Sequence, residues 1–419
     1  MKNKILYFSL YDFANSAFTT VIITFIFSTY FSQKIAPSSI IGQSYWGWAI
    51  GASGFFVALL GPIIGSISDK KNYNVVFLRT FSALCMIITC LLWFSKPSIN
   101  FFYYTLIVVG IANFFYELSL IFYNSLLIRV SSKEKIGKSS GYGFALGYLG
   151  GLFALLISIK IFIQADILNK EDAQNIRLIP FFVSVWFLIF SLPFLIKAKK
   201  YFSLKKTELK TKVVTLKSLI WNKKITDVGK FLIGRMLYAD GLNAIIVMGG
   251  IFAVGVYGLK ISELLYLSIL MNITAFLGAL VGGYLNDKYG SKKIIVFSLI
   301  GLIITSSLIL AVSSKGYFLF LASLNGFFIG PVQSASRVVI SKIINKNDQD
   351  KAFGLFATSG KLTSFLGPML VGTITLLSNS QKIGFSSAIF LLLFGLFATS
   401  GKLTSFLGPM LVGTITMLS

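Results

Sequence analysis

Twelve apolar stretches, each long enough to cross a bilayer as a helix, divide this chain and leave room for few other architectures. They lie near residues 5–32, 44–67, 74–95, 99–127, 139–163 and 178–196, and then 228–257, 261–286, 293–312, 316–341, 352–377 and 383–403. A hydrocarbon core of about 30 Å takes about 20 apolar residues per helix, and inside it only helices and closed barrels satisfy their own backbone hydrogen bonds. Composition agrees. Charged residues are 12% of the 419, against about 25% in a soluble domain, too few to cover a water-facing surface. This excludes an ordinary soluble enzyme, a disordered chain and a disulfide scaffold. Histidine is absent, which removes imidazole as metal ligand, general base or proton relay. Cys85 and Cys90 share one apolar run and read as small buried hydrophobes, not as a disulfide. No cofactor or metal is expected, only a coupling ion such as a proton.

The net charge of +24 is a topology signal. With the N-terminus inside, the inner segments hold Lys70, Lys71, Arg129, Lys133, Lys135, Lys138, the Lys197–Lys230 cluster, Lys288, Lys292, Lys293, Lys342, Lys346 and Lys351. The outer loops carry mostly single cations: Lys34, Lys96, Lys260, Lys315 and Lys382. Such an asymmetry obeys the positive-inside rule. A multi-pass integral membrane protein with a cytoplasmic N-terminus is expected, its partners membrane lipid and a small-molecule substrate. Nucleic acid is not expected, and the chain is read as a monomer. The first span follows MKNK without a cleavage-site pattern and is read as retained.

Six spans, a basic segment and six more spans suggest an internal duplication. The turn after span two reads GSISDKKNYN, with Gly65, Asp69 and Lys70. The turn after span eight reads GYLNDKYGSKK, with Gly283, Asp287, Lys288, Gly290, Lys292 and Lys293. Span one carries YDFAN and span seven YADGLN, so Asp12/Asn15 and Asp240/Asn243 share a D-x-x-N spacing. In the basic turns, glycine permits close helix approach, and the aspartate can cap a neighbouring helix start or meet a cation across the halves. Gly65, Asp69, Lys70, Gly283, Asp287, Lys288 and Gly290 are therefore gating candidates. The fold expected is all-α: twelve transmembrane helices in two pseudo-symmetric six-helix bundles at 1–197 and 228–403. A basic linker at 198–227 joins them, and a tail follows at 404–419.

The second basic turn resembles the major facilitator superfamily motif; the first departs from it, with Asn72 where glycine is usual. Longer segments, YDFANSAFTT, FYNSLLIRVSSKEKIGKSSGYGFALGYLGG, GRMLYADGLNAIIVMGGIFA and GLFATSGKLTSFLGP, resemble the vacuole-effluxer branch of that superfamily. That branch is related to autophagy-linked amino-acid effluxers of fungal vacuoles and has many bacterial members. The resemblance implies the major facilitator fold, alternating access, and helices 1, 4, 7 and 10 around a central cavity. For a bacterial member it implies the inner (plasma) membrane.

An ionisable group at bilayer depth costs roughly 2.5–3.5 kcal/mol on insertion scales, so each one kept there is a site candidate. Those in the spans are Asp12, Glu117, Arg235, Asp240, Arg337 and Lys361. A zwitterionic or anionic cargo needs a cation for its carboxylate, from Arg235, Arg337 or Lys361, and an acid for its amine, from Glu117 or Asp240. Asn15, Tyr123, Asn124, Tyr238, Asn243 and Gln333 supply a polar rim. Without histidine, carboxylates are the only proton carriers, and Asp12, Glu117 and Asp240 are the candidates. The competing reading makes these charges static salt bridges that hold the halves together.

Gly143, Gly147 and Gly151, like Gly61/Gly65 and Gly278/Gly282, recur every four residues and read as helix-packing stripes. Trp46 and Trp48 read as an interfacial edge, and Arg79 as snorkelling to the inner surface. Finally, Phe353–Ser378 recurs as Phe394–Ser419 with one change, Leu376 to Met417. Helix 12 is expected to use the start of that copy. The functional expectation is secondary active transport of small polar solutes such as amino acids, by alternating access, outward and proton-coupled. The alternative is a transport-inactive sensor or structural protein on the same fold; an enzyme is not expected.

Overall fold

Glycines and short polar runs end the helices where the sequence offers them. Gly258 (φ +59) and Gly290 (φ +89) adopt left-handed or positive-φ backbone at two helix ends, a conformation that side chains with a Cβ resist. The structure is a computed structural model and describes residues 2–71, 73–130, 135–165, 170–202, 221–222, 224–343 and 366–400. Its helices are α1 (Lys4–Ile35), α2 (Ser39–Lys71), α3 (Asn74–Phe94), α4 (Ile99–Ser125), α5 (Ile136–Gln164) and α6 (Glu171–Ala198). They continue with α7 (Gly229–Tyr257), α8 (Ile261–Tyr289), α9 (Ser291–Ala311), α10 (Lys315–Ile343), α11 (Leu366–Ser378) and α12 (Gln381–Ser400). Ten of the helices among the described residues are long and apolar enough to cross a membrane. One feature departs from the all-helical expectation: a two-residue hairpin pairs Trp221–Asn222 (β1) with Lys224–Ile225 (β2). Most of the expected linker and the whole 404–419 tail lie outside the described residues, as does Lys361.

Packing follows the order of the chain. α1 packs on α5 and α6, α3 on α4 and α6, and α2 on α4. In the second set, α7 packs on α12 and α11, α8 on α10, and α9 on α10 and α12. The sets meet where α5 crosses α8 and α10, where α2 meets α11, and where α1 touches α7. Glycines inside and beside the stripes make these approaches. A Cβ on Gly150 would stand 2.0 Å from the Phe13 carbonyl oxygen of α1, and one on Gly278 2.0 Å from that of Phe327 in α10. At the α5–α8 crossing two glycines meet: a Cβ on Gly141 would lie 3.0 Å from the Gly283 Cα. Gly65 does not share this role, because a Cβ there meets nothing within 4 Å.

The two seams between the sets differ in chemistry. At the end bearing the basic turns, the α5–α8 crossing carries charge. At the opposite end, the α2–α11 seam is neutral. There Gln43 Nε2 donates to Thr375 Oγ1 (2.9 Å), Gln381 Nε2 donates to Gln43 Oε1 (2.8 Å), and Trp48 Nε1 donates to Thr373 Oγ1 (3.1 Å). Trp46 is fully buried against Phe31. Trp46 therefore serves packing, and the half-buried Trp48 ties the seam. Arg79 likewise does not simply reach for solvent; its guanidinium donates to the Leu195 and Ile196 carbonyls of α6.

The copied C-terminal segment contributes to the packed fold through its first residues. Gly395 lies against Tyr238, and Thr399 against Gly234, seating α12 on α7.

Candidate functional site

Arg337, from α10, places its guanidinium wholly within the first set of helices. Its Nε donates to Ser140 Oγ (2.9 Å), its Nη1 to Asn124 Oδ1 (3.3 Å) and its Nη2 to the Ser140 carbonyl (3.1 Å). Nη2 also faces Asp12 Oδ2 of α1 at 3.5 Å, and the cation lies 4.1 Å from the centre of the Phe144 ring. Arg337 and Asp12 are 3% and 7% exposed. Ser140 completes the contact by donating its hydroxyl to the Ser334 carbonyl of α10 (3.1 Å). Gly143 is required here: a Cβ would stand 2.5 Å from Asp12 Oδ2 and 3.2 Å from Arg337 Nη2.

Beside this pair lies a cavity of about 350 Å³ lined by both sets of helices, within the ~300–1,000 Å³ of small-molecule sites. Of the residues singled out in the sequence, Asp12, Asn15, Glu117, Asn124, Arg235, Tyr238, Asn243, Gln333 and Arg337 line it. Tyr123 and Asp240 are not among the lining residues. Tyr123 is fully buried between Phe8 and Tyr11 and donates to the Phe8 carbonyl (2.9 Å). Asp240 is 1% exposed, and its carbonyl stands against Gly367 of α11. On α7 the cavity-facing positions are Arg235, Tyr238, Ala239, Leu242, Asn243, Ile245, Ile246 and Gly249, and Asp240 is not among them.

Sequence reading missed the hydroxyl-rich wall of α1, Ser16, Thr19, Thr20 and Thr24, together with Tyr116, Tyr148, Asn272 and Ser336. Uncharged groups in an apolar span give no energetic alarm comparable to an ion. The available signal was Asn272, an amide in the middle of α8. Nor was the winding of α1 legible: Phe18–Phe25 is π-helical, with Ile26 N–H donating to Val21 O. Such windings are rare and recur at functional sites; here the winding carries the three threonines. Tyr148 OH donates to Gln333 Oε1 (2.7 Å) across the sets, and Tyr238 OH pairs with Ser336 Oγ (2.8 Å).

The charged lining lies toward one end of the cavity, and the rest mixes apolar residues with Thr20, Thr24 and Asn272. Asp12, Glu117, Asn124, Arg235 and Arg337 lie toward the basic turns, while Phe25, Ile245, Ile246, Met271, Ala275 and Ile329 line the opposite part. From Asp12 to Phe25 the α1 wall runs roughly 20 Å at about 1.5 Å per residue.

Among the basic-turn residues, Asp287 Oδ2 accepts from the Lys138 backbone N–H (3.2 Å), in the first turn of α5. That amide is one of the orphan donors of a helix start, and α5 has no side-chain cap of its own, so the cap comes from the opposite set. A Cβ at Gly137 would lie 2.3 Å from Asp287 Oδ1. Gly290 ends α8, and Lys288 is exposed over the Tyr289 ring. The side chains of Asp69 and Lys70 lie outside those described.

Against the xylose transporter XylE from E. coli, in a partially occluded inward open conformation, the chain superposes with a TM-score of 0.67 over 97% of each chain, at 13% identity. The fold is that of the major facilitator superfamily: an integral, multi-pass membrane protein of the transporter class and not an enzyme. An uncharacterized MFS-type transporter, YxiO, of Bacillus subtilis (strain 168) is 25% identical over 398 residues, 92% of this chain and 91% of YxiO. The family described as vacuole effluxer Atg22 like matches residues 32–396, and the chain belongs to it. Autophagy-related protein 22 of Yarrowia lipolytica is 26% identical over 307 residues, 64% of this chain and half of that longer protein.

Proposed function

We propose that this protein exports a zwitterionic metabolite, an amino acid with an apolar side chain, by alternating access between two six-helix bundles. The observation that carries the reading is the balance of the cavity. Two acids, Asp12 and Glu117, and two bases, Arg235 and Arg337, line it together, and Phe25, Ile245, Ile246, Met271 and Ile329 add apolar lining beside the α1 hydroxyls. A zwitterion has no net charge to bury, and each of its poles meets a partner in such a site. With Asp12 and Arg337 paired across the bundles, Glu117 is assigned to the ammonium and Arg235 to the carboxylate because both line the cavity. The apolar lining takes the side chain.

Export is supported by the effluxer description of the family. Proton coupling is supported by chemistry: the chain has no histidine, so Asp12 and Glu117 are the cavity groups able to carry a proton. The Asp287 cap on α5 and the Arg337 socket form the gate at the basic, cytoplasmic end. Gly65, Asp69, Lys70, Gly283, Lys288 and Gly290 belong to the same gate, and Lys361 to the cargo path. The protein is proposed to work as a monomer in the bacterial plasma membrane, N-terminus inside, with a basic cytoplasmic linker at 198–227 between bundles.

The test is a proteoliposome assay with each labelled amino acid, with and without a pH gradient. Counterflow of amino acids with apolar side chains, accelerated by the gradient, is the expected result. No flux of any of them with correctly inserted protein refutes the proposal and favours a transport-inactive sensor.

A further inference from the structure

We infer that Gly249 is a specificity-determining residue: the room left by its missing side chain sets how bulky a cargo side chain the cavity takes. This rests on the transport reading above and specifies how the apolar part of the cargo is selected. Three glycines line the cavity, Gly147, Gly249 and Gly326. Packing accounts for two of them. A Cβ on Gly147 would stand 2.8 Å from Ser16 Oγ, and one on Gly326 2.4 Å from Thr274 Oγ1 and 2.7 Å from the Met271 carbonyl oxygen. A Cβ on Gly249 would meet nothing within 4 Å. The space it leaves is open cavity, not a helix contact.

The residues on either side of Gly249 behave differently. Met248 is fully buried, and its Cε lies 2.7 Å from where a Cβ on Gly47 of α2 would stand. A Cβ on Gly250 would stand 2.1 Å from the Thr24 carbonyl oxygen and 3.2 Å from the Phe25 Cα, both of α1. So α2 and α1 hold α7 immediately before and after Gly249, and a side chain added at 249 projects into free space. Residues three and four apart share a helix face, and Ile245, Ile246 and Gly249 all line the cavity. The first two present aliphatic side chains to it; the third presents none.

Glycine in a helix interior is less favourable than alanine. Gly249 lies within α7, and its backbone does not take a positive φ. Neither packing nor conformation calls for glycine there, so what the residue contributes is the space itself. That space opens at the level of Phe25, with Met271 and Ile329 in the same lining. Apolar groups around free volume favour an aliphatic or aromatic cargo side chain, whose burial grows in value with its apolar area. One methylene more or less in such a pocket shifts discrimination by roughly 10- to 200-fold.

The experiment measures counterflow of labelled alanine, valine, leucine, isoleucine, methionine and phenylalanine in proteoliposomes carrying wild type, Gly249→Ala or Gly249→Leu. Melting points are read alongside by scanning fluorimetry. The readout is the ratio of kcat/KM for leucine or phenylalanine, whichever wild type carries, to that for alanine. Gly249→Ala is expected to lower the ratio about tenfold and Gly249→Leu about a hundredfold, with the Gly249→Ala melting point at or above that of wild type. Gly249→Ala decides alone if Gly249→Leu does not fold. A hinge or packing role would instead reduce transport of every amino acid alike, or lower the melting point of both variants. Either result, or an unchanged ratio in Gly249→Ala, overturns this inference alone. So does a wild type that carries alanine but neither leucine nor phenylalanine. Absence of wild-type flux for all six overturns it together with the transport reading.

Discussion

Replacing Arg337 with glutamine should unlatch the basic end of the molecule, and the structure sets the size of the effect. The guanidinium makes all its hydrogen bonds to the opposite bundle: Ser140 Oγ, the Ser140 carbonyl, Asn124 Oδ1 and Asp12 Oδ2. Arg337→Gln leaves Asp12 as a buried carboxylate without its counter-charge whenever the bundles close. Removing one partner of a buried pair costs about 3–5 kcal/mol. Because the pair exists only while the two bundles meet here, that cost falls on the closed state. At about 1.4 kcal/mol per decade, the closed-to-open ratio should drop by roughly two to nearly four orders of magnitude. Ser334 is buried beside the latch, its carbonyl bonded to Ser140. A Ser334→Cys reporter, in a background with Cys85 and Cys90 replaced by serine, reads the opening through the rate of modification by a membrane-impermeant maleimide. Arg337→Gln should raise that rate at least a hundredfold. Adding Asp12→Asn removes the orphaned charge and should bring the rate back toward wild type, a non-additivity expected of a true pair. A wild-type rate in Arg337→Gln, or simple addition of the two effects, refutes the latch.

Glu117→Gln and Arg235→Gln should each reduce flux by at least tenfold while leaving the thermal melting point within about 2 °C, measured by counterflow and by differential scanning fluorimetry. Asp240→Asn should behave oppositely: because Asp240 is buried away from the cavity lining, it should lower the melting point and leave KM unchanged. Gly137→Ala should displace the Asp287 cap, since its methyl would overlap Asp287 Oδ1. The loss should be about 1 kcal/mol, typical of a helix cap, read as faster amide exchange in the first turn of α5. Gln43→Ala strips partners from two buried groups, Gln381 and Thr375, and should weaken the neutral seam by about 1–3 kcal/mol. The expected readout is faster cysteine labelling from the face opposite the basic turns, independent of pH because no member of the seam titrates.

Much of the architecture is written in the sequence, because a bilayer enforces local rules. Span length follows from hydrocarbon thickness, and the ten long helices fall where apolar runs predict them. The Gly143/Gly147/Gly151 repeat sits where helices touch, since a Cβ at any of the three would strike α1 side chains. The cost of a buried charge also marks candidates without any structure, and Asp12, Glu117, Arg235 and Arg337 all line the cavity.

What the sequence left open is which helices meet and which way a residue faces. The ten long apolar helices among the described residues are nearly interchangeable to the lipid, so their pairing depends on the fit of side chains far apart in the chain. Arg337 and Asp12 are 325 positions apart, and Gln43 and Thr375 are 332 apart. The D-x-x-N repeat marked Asp12 and Asp240 as corresponding positions of the two halves. Asp240 is buried and does not line the cavity that Asp12 faces. The neutral seam of Gln43, Thr375 and Gln381 had no signature at all, because an amide near a helix end looks the same whether water or another helix will satisfy it. Only the docking of one bundle on the other decides that, since hydrogen bonds are local in space and these residues are remote in sequence.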